Sequence, residues 1–405
     1  MQYRFKYGKN HITIPLPEKT QFIKVNPEES KPVKTIFQKE FSNLLKPGAT
    51  SAAIVVSDKT RICEYDKYLP WLIEVLESKG LNNKTIRFFI AYGTHPGQSD
   101  KECLKIYGET YNRFEFVHHK CDSAHLMINL GTTKRGTKVR IRKDVFDHDH
   151  LILFGSLTHH YFAGYGGGRK LLFPGMAERE SIYSNHKLFI DFNNYRLQPG
   201  CMSGNLNGNP VAEDLCEIDS LMPEKIIISG IPGVDGKISR LMIGKTYDDF
   251  LSACMVYDRL YRKMNGEKYD NIIASTGGYP KDINFIQSHK SLHNAASFVR
   301  DGGNLFLLAE CSDGMGNDEF LNILQGHDKQ EIFSELRHKY SGNGGTALSL
   351  ISKTERINVY MLTGLNNEVC NTLNIIRLTE RNLRLIAGGL EGSTAVIENA
   401  SMVYC

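Results

Sequence analysis

Short apolar runs rich in β-branched residues alternate along this chain with turn residues and with stretches of helical period, which is the pattern of α/β domains. Ala52-Ala53-Ile54-Val55-Val56 is apolar at every position, as a buried strand must be, and it ends in Ser57-Asp58-Lys59-Thr60-Arg61. Leu69 to Lys79 follows with an amphipathic helical period and stops at Gly80. Thr85 to Ala91 predicts a second strand, ending at Gly93-Thr94-His95, and His150 to Phe154 a third, ending at Thr158-His159-His160. Lys225 to Ser229 predicts a further strand that runs into Gly230-Ile231-Pro232-Gly233, after which Leu241 to Asn265 reads as largely helical. A new α/β unit starts with a strand at Tyr269 to Ala274, turns at Gly277-Gly278, and continues with a helix from about Asn284 to Arg300 and a strand at Asn304 to Ala309.

Polar clusters thus follow strand ends, and ligands of open α/β sheets sit beyond the carboxyl ends of the strands, where loops from several strands converge. Three such loops are candidates to share one site. A chain of 405 residues exceeds one ordinary core. We therefore expect two α/β domains with mixed or mainly parallel sheets, residues 1–265 and 266–405, and an active site in the cleft between them.

Charge and cysteine usage narrow the class. The formal charge of +4 is small beside 49 basic and 45 acidic residues, and no basic block outruns a pair such as Lys134-Arg135, so nucleic acid is not indicated. Nine scattered cysteines, without a CxxC pair, read as a reducing cytoplasm rather than a disulfide framework. No uncharged apolar run approaches a membrane span, and no signal core follows Met1-Gln2-Tyr3-Arg4-Phe5-Lys6.

The densest chemistry lies in Thr158-His159-His160-Tyr161-Phe162-Ala163-Gly164-Tyr165-Gly166-Gly167-Gly168-Arg169-Lys170, closing with Phe173-Pro174-Gly175. So many glycines permit positive φ and close backbone approach, which serves either a tight structural turn or the cradling of a phosphate or planar cofactor. The spacing is not that of a P-loop, since no Ser or Thr follows the lysine, nor that of a dinucleotide fingerprint opening a helix. His186, in Ser184-Asn185-His186-Lys187, is by itself either a hydrogen-bonded histidine or a ligand.

With these residues in view, the chain resembles the nickel-dependent lactate racemase family. The hallmark His-His-Tyr-Phe-Ala-Gly-Tyr, then Gly-Gly-Arg-Lys and Pro-Gly, is supplied from His159 to Gly175. Collinear similarities lie at Ser57 to Arg61, Gly93 to His95, Gly208-Asn209-Pro210, Gly277-Gly278-Tyr279-Pro280, Gln287 to Lys290 and Ala309-Glu310-Cys311. The resemblance implies racemisation or epimerisation of a small 2-hydroxy acid, lactate or a relative, by reversible hydride transfer through a 2-keto acid. It implies a nickel pincer nucleotide as cofactor, the pyridinium-3-thioamide-5-thiocarboxylic acid mononucleotide, covalently attached to Lys170, with His186 as the nickel ligand. Asp58, Lys59, Thr60, Arg61 and Pro174 match the cofactor-binding positions, His95 and His160 the pair of bases, and Arg61, Gln287 and Lys290 the substrate-binding residues. Proteins that synthesise the cofactor are the implied partners. For His159 packing or support is the expectation, and His118, His119, His148 and His150, which match no motif, are expected at the surface.

The chain departs from the family at four positions around the substrate. Lys59 and Ile62 replace a histidine and a proline in the first loop, Pro96 stands where an arginine is common, and Ile286 where the lactate enzymes carry a tyrosine. These leave the cofactor residues and both bases in place but bear on lactate as the substrate. Two other readings fit the residues less well. A zinc hydrolase using His159, His160 and His186 lacks the usual ligand spacing, and a non-catalytic nickel- or nucleotide-binding protein would have no need of both His95 and His160.

Overall fold

The computed structural model describes all residues except 26–29, 62, 264–265 and 326. Two units emerge from the contacts within the chain: Pro27–Phe189 with Pro199–Leu260, and Met1–Asn26 with Ile190–Gln198 and Tyr261–Cys405. This differs from the expected division at 265/266, whose Asn265 lies outside the described residues. The first residues join the C-terminal sheet because Gln21–Ile23 forms its edge strand, parallel with Thr394–Ile397. The hairpin of Gln2–Tyr7 and Asn10–Pro15 meanwhile packs Phe5, Ile12 and Ile14 against Ile273, Phe306 and Val396.

The first unit holds a six-stranded sheet in which Ala52–Ser57 lies between Ile86–Ala91 and His150–Ser156, all parallel. Ile54, Val55 and Val56 are wholly buried, which explains their uninterrupted apolar run: helices cover both faces of a parallel sheet. The chain passes from Ala52–Ser57 outward to Ile86–Ala91 and Glu115–His118, then returns to the other side with His150–Ser156 and Ile226–Pro232. The strand order therefore reverses at Ala52–Ser57. Such a switch point opens a crevice at the carboxyl ends of the strands. Asp58 leaves one lip of it, and the glycine-rich loop after Ser156 leaves the other.

One helical expectation fails in this unit. Ile238–Gly244 is a strand, antiparallel to Ile226–Pro232, and the helix begins only at Tyr247. Leu241, Met242 and Ile243 fit a helical stripe as well as a strand, and edge pairing decides between them. The helix expected from Leu69 starts earlier, at Tyr65, and carries Pro70 within its second turn.

The second unit has its own six-stranded, all-parallel sheet, with Tyr269–Ser275 between Val299–Leu308 and Thr394–Ile397. Phe285–Ala296 is the predicted helix, ending before Arg300, which already lies in the strand. Asn284 caps it by accepting the Gln287 backbone N–H at 3.0 Å. Among the described residues no helix is long and apolar enough to cross a membrane. All nine cysteines are free thiols.

Candidate active site

The loop after Ala52–Ser57 turns immediately on Asp58. This carboxylate is 4% exposed. Its Oδ1 accepts from the Thr60 backbone N–H at 2.9 Å and the Thr60 hydroxyl at 2.6 Å, while Oδ2 lies 2.6 Å from His95 Nδ1. Burial opposes its ionisation, but the hydrogen bond and charge of His95, the Thr60 hydroxyl and Arg61 outweigh it and hold the carboxyl down at about 2. The fold thus gives Asp58 the histidine of the neighbouring loop as a partner. Gln98 links the same two loops by accepting from the Lys59 backbone N–H, and Lys59 itself pairs with Glu102. Pro96 follows His95 on the exposed rim, and Ile62 lies outside the described residues.

His159 and His160 form one side of a two-residue hairpin, pairing with Tyr165 and Gly164. The residues paired directly across it, His159 and Tyr165, both reach Asp258: His159 Nε2 lies 2.7 Å from Oδ1 and the Tyr165 hydroxyl donates to Oδ2 at 2.7 Å. Strand alternation then turns His160 to the opposite face from that anchor. Its Nδ1 accepts the Ala163 backbone N–H at 3.3 Å. Asp258 carries no motif signal in the sequence, and its role emerges only when the helix Tyr247–Tyr261 packs under the loop. Asn209 is a second anchor. It caps the helix Pro210–Ser220 through Val211 and Ala212 N–H and donates from Nδ2 to the Phe162 carbonyl at 2.9 Å.

Gly167 and Gly175 stand where a side chain has no room. Gly167 has φ +75°, and a Cβ there would sit 2.3 Å from the Ser156 carbonyl oxygen. At Gly175 a Cβ would meet the Leu171 carbonyl oxygen at 2.2 Å and the Ala91 Cβ at 2.7 Å. Gly175 also accepts the Gly93 N–H at 2.9 Å, so the Pro174-Gly175 turn braces the loop that carries His95. Gly175→Ala should destabilise the protein by ~1–3 kcal/mol, as overpacking in a fixed site does. A urea titration checks it: the midpoint falls with an unchanged slope.

Phe162 is the hub that the sequence does not reveal. Its ring lies 4.5 Å from that of His160 and 5.0 Å from that of His186, centroid to centroid, and Lys170 Nζ sits 5.9 Å from its centre. Both Lys170 Nζ and His186 Nε2 are buried without a hydrogen-bond partner among the described residues. Burial, then the positive charges of Arg61 and Arg169, push the lysine down to about 7. Burial, then Lys170 and His95, push His186 down to about 3. Burial thus favours the neutral amine and the neutral imidazole, and neither Nζ nor Nε2 is bonded among the described residues. Unsatisfied buried polar atoms are costly, and they cluster where a ligand completes them. Arg169 is itself buried, its guanidinium over the neighbouring rings of Tyr247 and Phe250 at 5.1 and 5.0 Å.

Among the described residues no three His, Cys, Asp or Glu side chains gather closely enough to hold a metal by themselves. A zinc site on His159, His160 and His186 is not formed; His159 is engaged with Asp258 instead. Gln287 and Lys290 belong to the other unit, on the helix Phe285–Ala296, where Lys290 Nζ donates to Gln287 Oε1 at 2.8 Å. Their three-residue spacing does place them on one face. Ile286 is half-buried beside the apolar core of that unit. The surface placement expected of four histidines fails for two. His119 is buried with Nε2 3.0 Å from the Ala177 carbonyl oxygen, and His150 opens a strand that is buried along its whole length. His118, half-buried, bonds the Tyr92 hydroxyl, and His148 is half-buried beside Phe89.

Comparison with known proteins gives consistent results. The family described as lactate racemase N-terminal domain matches residues 7–197, and that described as lactate racemase C-terminal domain matches residues 264–343, together more than half of the chain. Lactate racemase of Thermoanaerobacterium thermosaccharolyticum is 28% identical over 345 residues, 82% of this chain and 79% of that protein. Lactate racemase of Lactiplantibacillus plantarum is 29% identical over 294 residues, 71% and 67% of the two chains. The solved lactate racemase apoprotein from T. thermosaccharolyticum superposes with a TM-score of 0.87 at 24% identity, covering 100% of this chain and 99% of that one. A Thermotoga maritima protein superposes at 0.71 with 16% identity, covering 94% and 100%. At these identities the structural likenesses speak to the fold.

Proposed function

Since the chain belongs to the lactate racemase family and is an isomerase, we propose that it racemises or epimerises a small 2-hydroxy acid with a nickel pincer nucleotide tethered to Lys170. One observation carries this reading: Lys170 Nζ and His186 Nε2 are buried, shifted by burial toward their neutral forms and unpartnered among the described residues, around the same Phe162 ring. A covalent tether needs a neutral amine, and a nickel ion short of one donor needs a neutral imidazole. The residues present fit the group.

Lys170 would hold the cofactor through Nζ and His186 would ligate its nickel, with Asp58, Lys59, Thr60, Arg61 and Pro174 around the nucleotide. When bound, the group supplies the hydride acceptor. The chain's own residues do the rest. His95 and His160 serve the two faces of the substrate, each taking the 2-hydroxyl proton of one enantiomer and returning it to the 2-keto acid. An imidazole can do both because its ordinary pKa lies near neutrality. Gln287 and Lys290 are assigned to the substrate carboxylate, to which an amide and an ammonium donate together, and Arg61 adds a cation near the lysine. The loss of the family's arginine at Pro96 and tyrosine at Ile286 argues for a 2-hydroxy acid other than lactate. The free cysteines accord with a cytoplasmic enzyme, supplied with its cofactor by other proteins.

The test is loss of optical activity from single enantiomers of several 2-hydroxy acids, using protein made in a host that synthesises the cofactor. His186→Ala should lower nickel content and racemisation together, because without the imidazole donor solvent would compete for the metal; loss of a ligand or its support costs ~10–100-fold in metal affinity or activity. Nickel content equal to wild type would refute the ligand assignment.

A further inference from the structure

The two histidines assigned to opposite faces of the substrate are held by different kinds of partner. A carboxylate only accepts, so the 2.6 Å contact of Asp58 Oδ2 with His95 Nδ1 places a ring proton on Nδ1, and the neutral ring then carries its lone pair on Nε2. A backbone N–H only donates, so the 3.3 Å bond from Ala163 to His160 Nδ1 places the lone pair there and the proton of the neutral ring on Nε2. We propose that Asp58 is a positioning residue that fixes His95 with a bare Nε2, while the Ala163 N–H fixes His160 with a protonated Nε2, so that the pair rests in opposite tautomers and oxidation begins at His95. The inference rests on the opposed-base reading above and deepens it.

The chemistry follows from the geometry. The substrate O–H bond breaks and its proton goes to Nε2 of His95, while the bound cofactor would supply the acceptor for the carbon-bound hydrogen and its electron pair, so that the C–O bond becomes a carbonyl. The imidazolium so formed keeps its Nδ1–H bond to a carboxylate that is buried and ionised, which stabilises the charge as it develops. At His160, Nδ1 is taken by the Ala163 N–H instead. To become doubly protonated it must give up the Ala163 N–H, and to act first as a base at Nε2 it must move its proton. The enantiomer whose hydroxyl meets His95 should therefore react faster in the first turnover.

Asp58→Asn is a directed perturbation. Thr60 donates twice to Oδ1, so the amide oxygen of asparagine would take that place and its NH2 would face His95 Nδ1. The ring is then forced to accept at Nδ1 and to carry its proton on Nε2. Long-range proton–nitrogen correlation spectra of the full chain with 15N-labelled histidine report tautomers directly, with His95→Gln and His160→Gln giving the assignments. The expected result is a protonated Nδ1 at His95 and a protonated Nε2 at His160 in the wild type, with His95 switching in Asp58→Asn. In single turnovers the variant should lose ~10²–10⁴-fold toward one enantiomer, the size of a positioned base, and far less toward the other. Identical tautomers in the two wild-type histidines, an unswitched His95 in the variant, or equal losses toward both enantiomers would overturn the proposal. Because the spectra read the tautomers whether or not any 2-hydroxy acid reacts, failure of this inference is distinguishable from failure of the racemase reading.

Discussion

His95→Ala and His160→Ala are each expected to stop net racemisation while leaving the fold intact. His95 is exposed and His160 half-buried, so neither ring supports the core. Racemisation requires a proton to leave on one face and another to arrive on the opposite face. Removal of either imidazole leaves one face without a donor. A positioned acid or base is worth ~10²–10⁴-fold in rate, and each variant should lose at least that in both directions together, since no catalyst shifts the equilibrium between enantiomers. A partial reaction should survive. Each variant can still oxidise the enantiomer whose base remains, and single turnovers followed by the cofactor absorbance will show it. The two variants should retain opposite enantiomers; retention of the same enantiomer by both would break the opposed-base assignment.

Lys170→Ala should abolish both the attached cofactor and the activity. The amine makes no hydrogen bond among the described residues, so alanine removes no native bond and takes away a buried polar atom that lacks one. Circular dichroism should be unchanged. Lys170→Arg is expected to fail equally, because a guanidinium stays protonated and cannot acylate. The pH dependence of attachment has a definite sign. Burial lowers the lysine to about 7, so below that pH the amine is protonated and inert, and above it the nucleophile is present. Attachment to apoprotein should rise as pH passes through about 7 and then level off. An unshifted lysine would still be rising near pH 10.

The parts of the fold legible in the sequence were those set by local pattern. The run Ala52 to Val56 and the strand at His150 announce themselves because a strand covered on both faces has no polar position to confuse the period. Ile238–Gly244 was not legible, since an edge strand of mixed character is decided by its neighbour, Ile226–Pro232. The N-terminal hairpin could have been found: Phe5 and Tyr7, Ile12 and Ile14 alternate with polar residues as a half-buried antiparallel pair should. Its membership of the C-terminal unit depends on a pairing nearly the whole chain away, and no local signal carries that.

The candidate site divides in the same way. Family resemblance named Lys170, His186, His95 and His160, and in the structure Asp58 takes the hydrogen bond of His95 while Phe162 stands among the other three. Neither Asp258 nor Phe162 was assigned a role, because a helix aspartate and a loop phenylalanine are unremarkable until packing gives them neighbours. His119 and His150 show the reverse error. They match no motif, yet tertiary packing buries both.

The central claim is the tether at Lys170, and the most direct measurement is the mass of the protein made in a host that synthesises the cofactor, followed by peptide mapping. The account predicts a mass increment confined to the peptide containing Lys170 and absent from Lys170→Ala. Fully active enzyme with an unmodified Lys170 would contradict it.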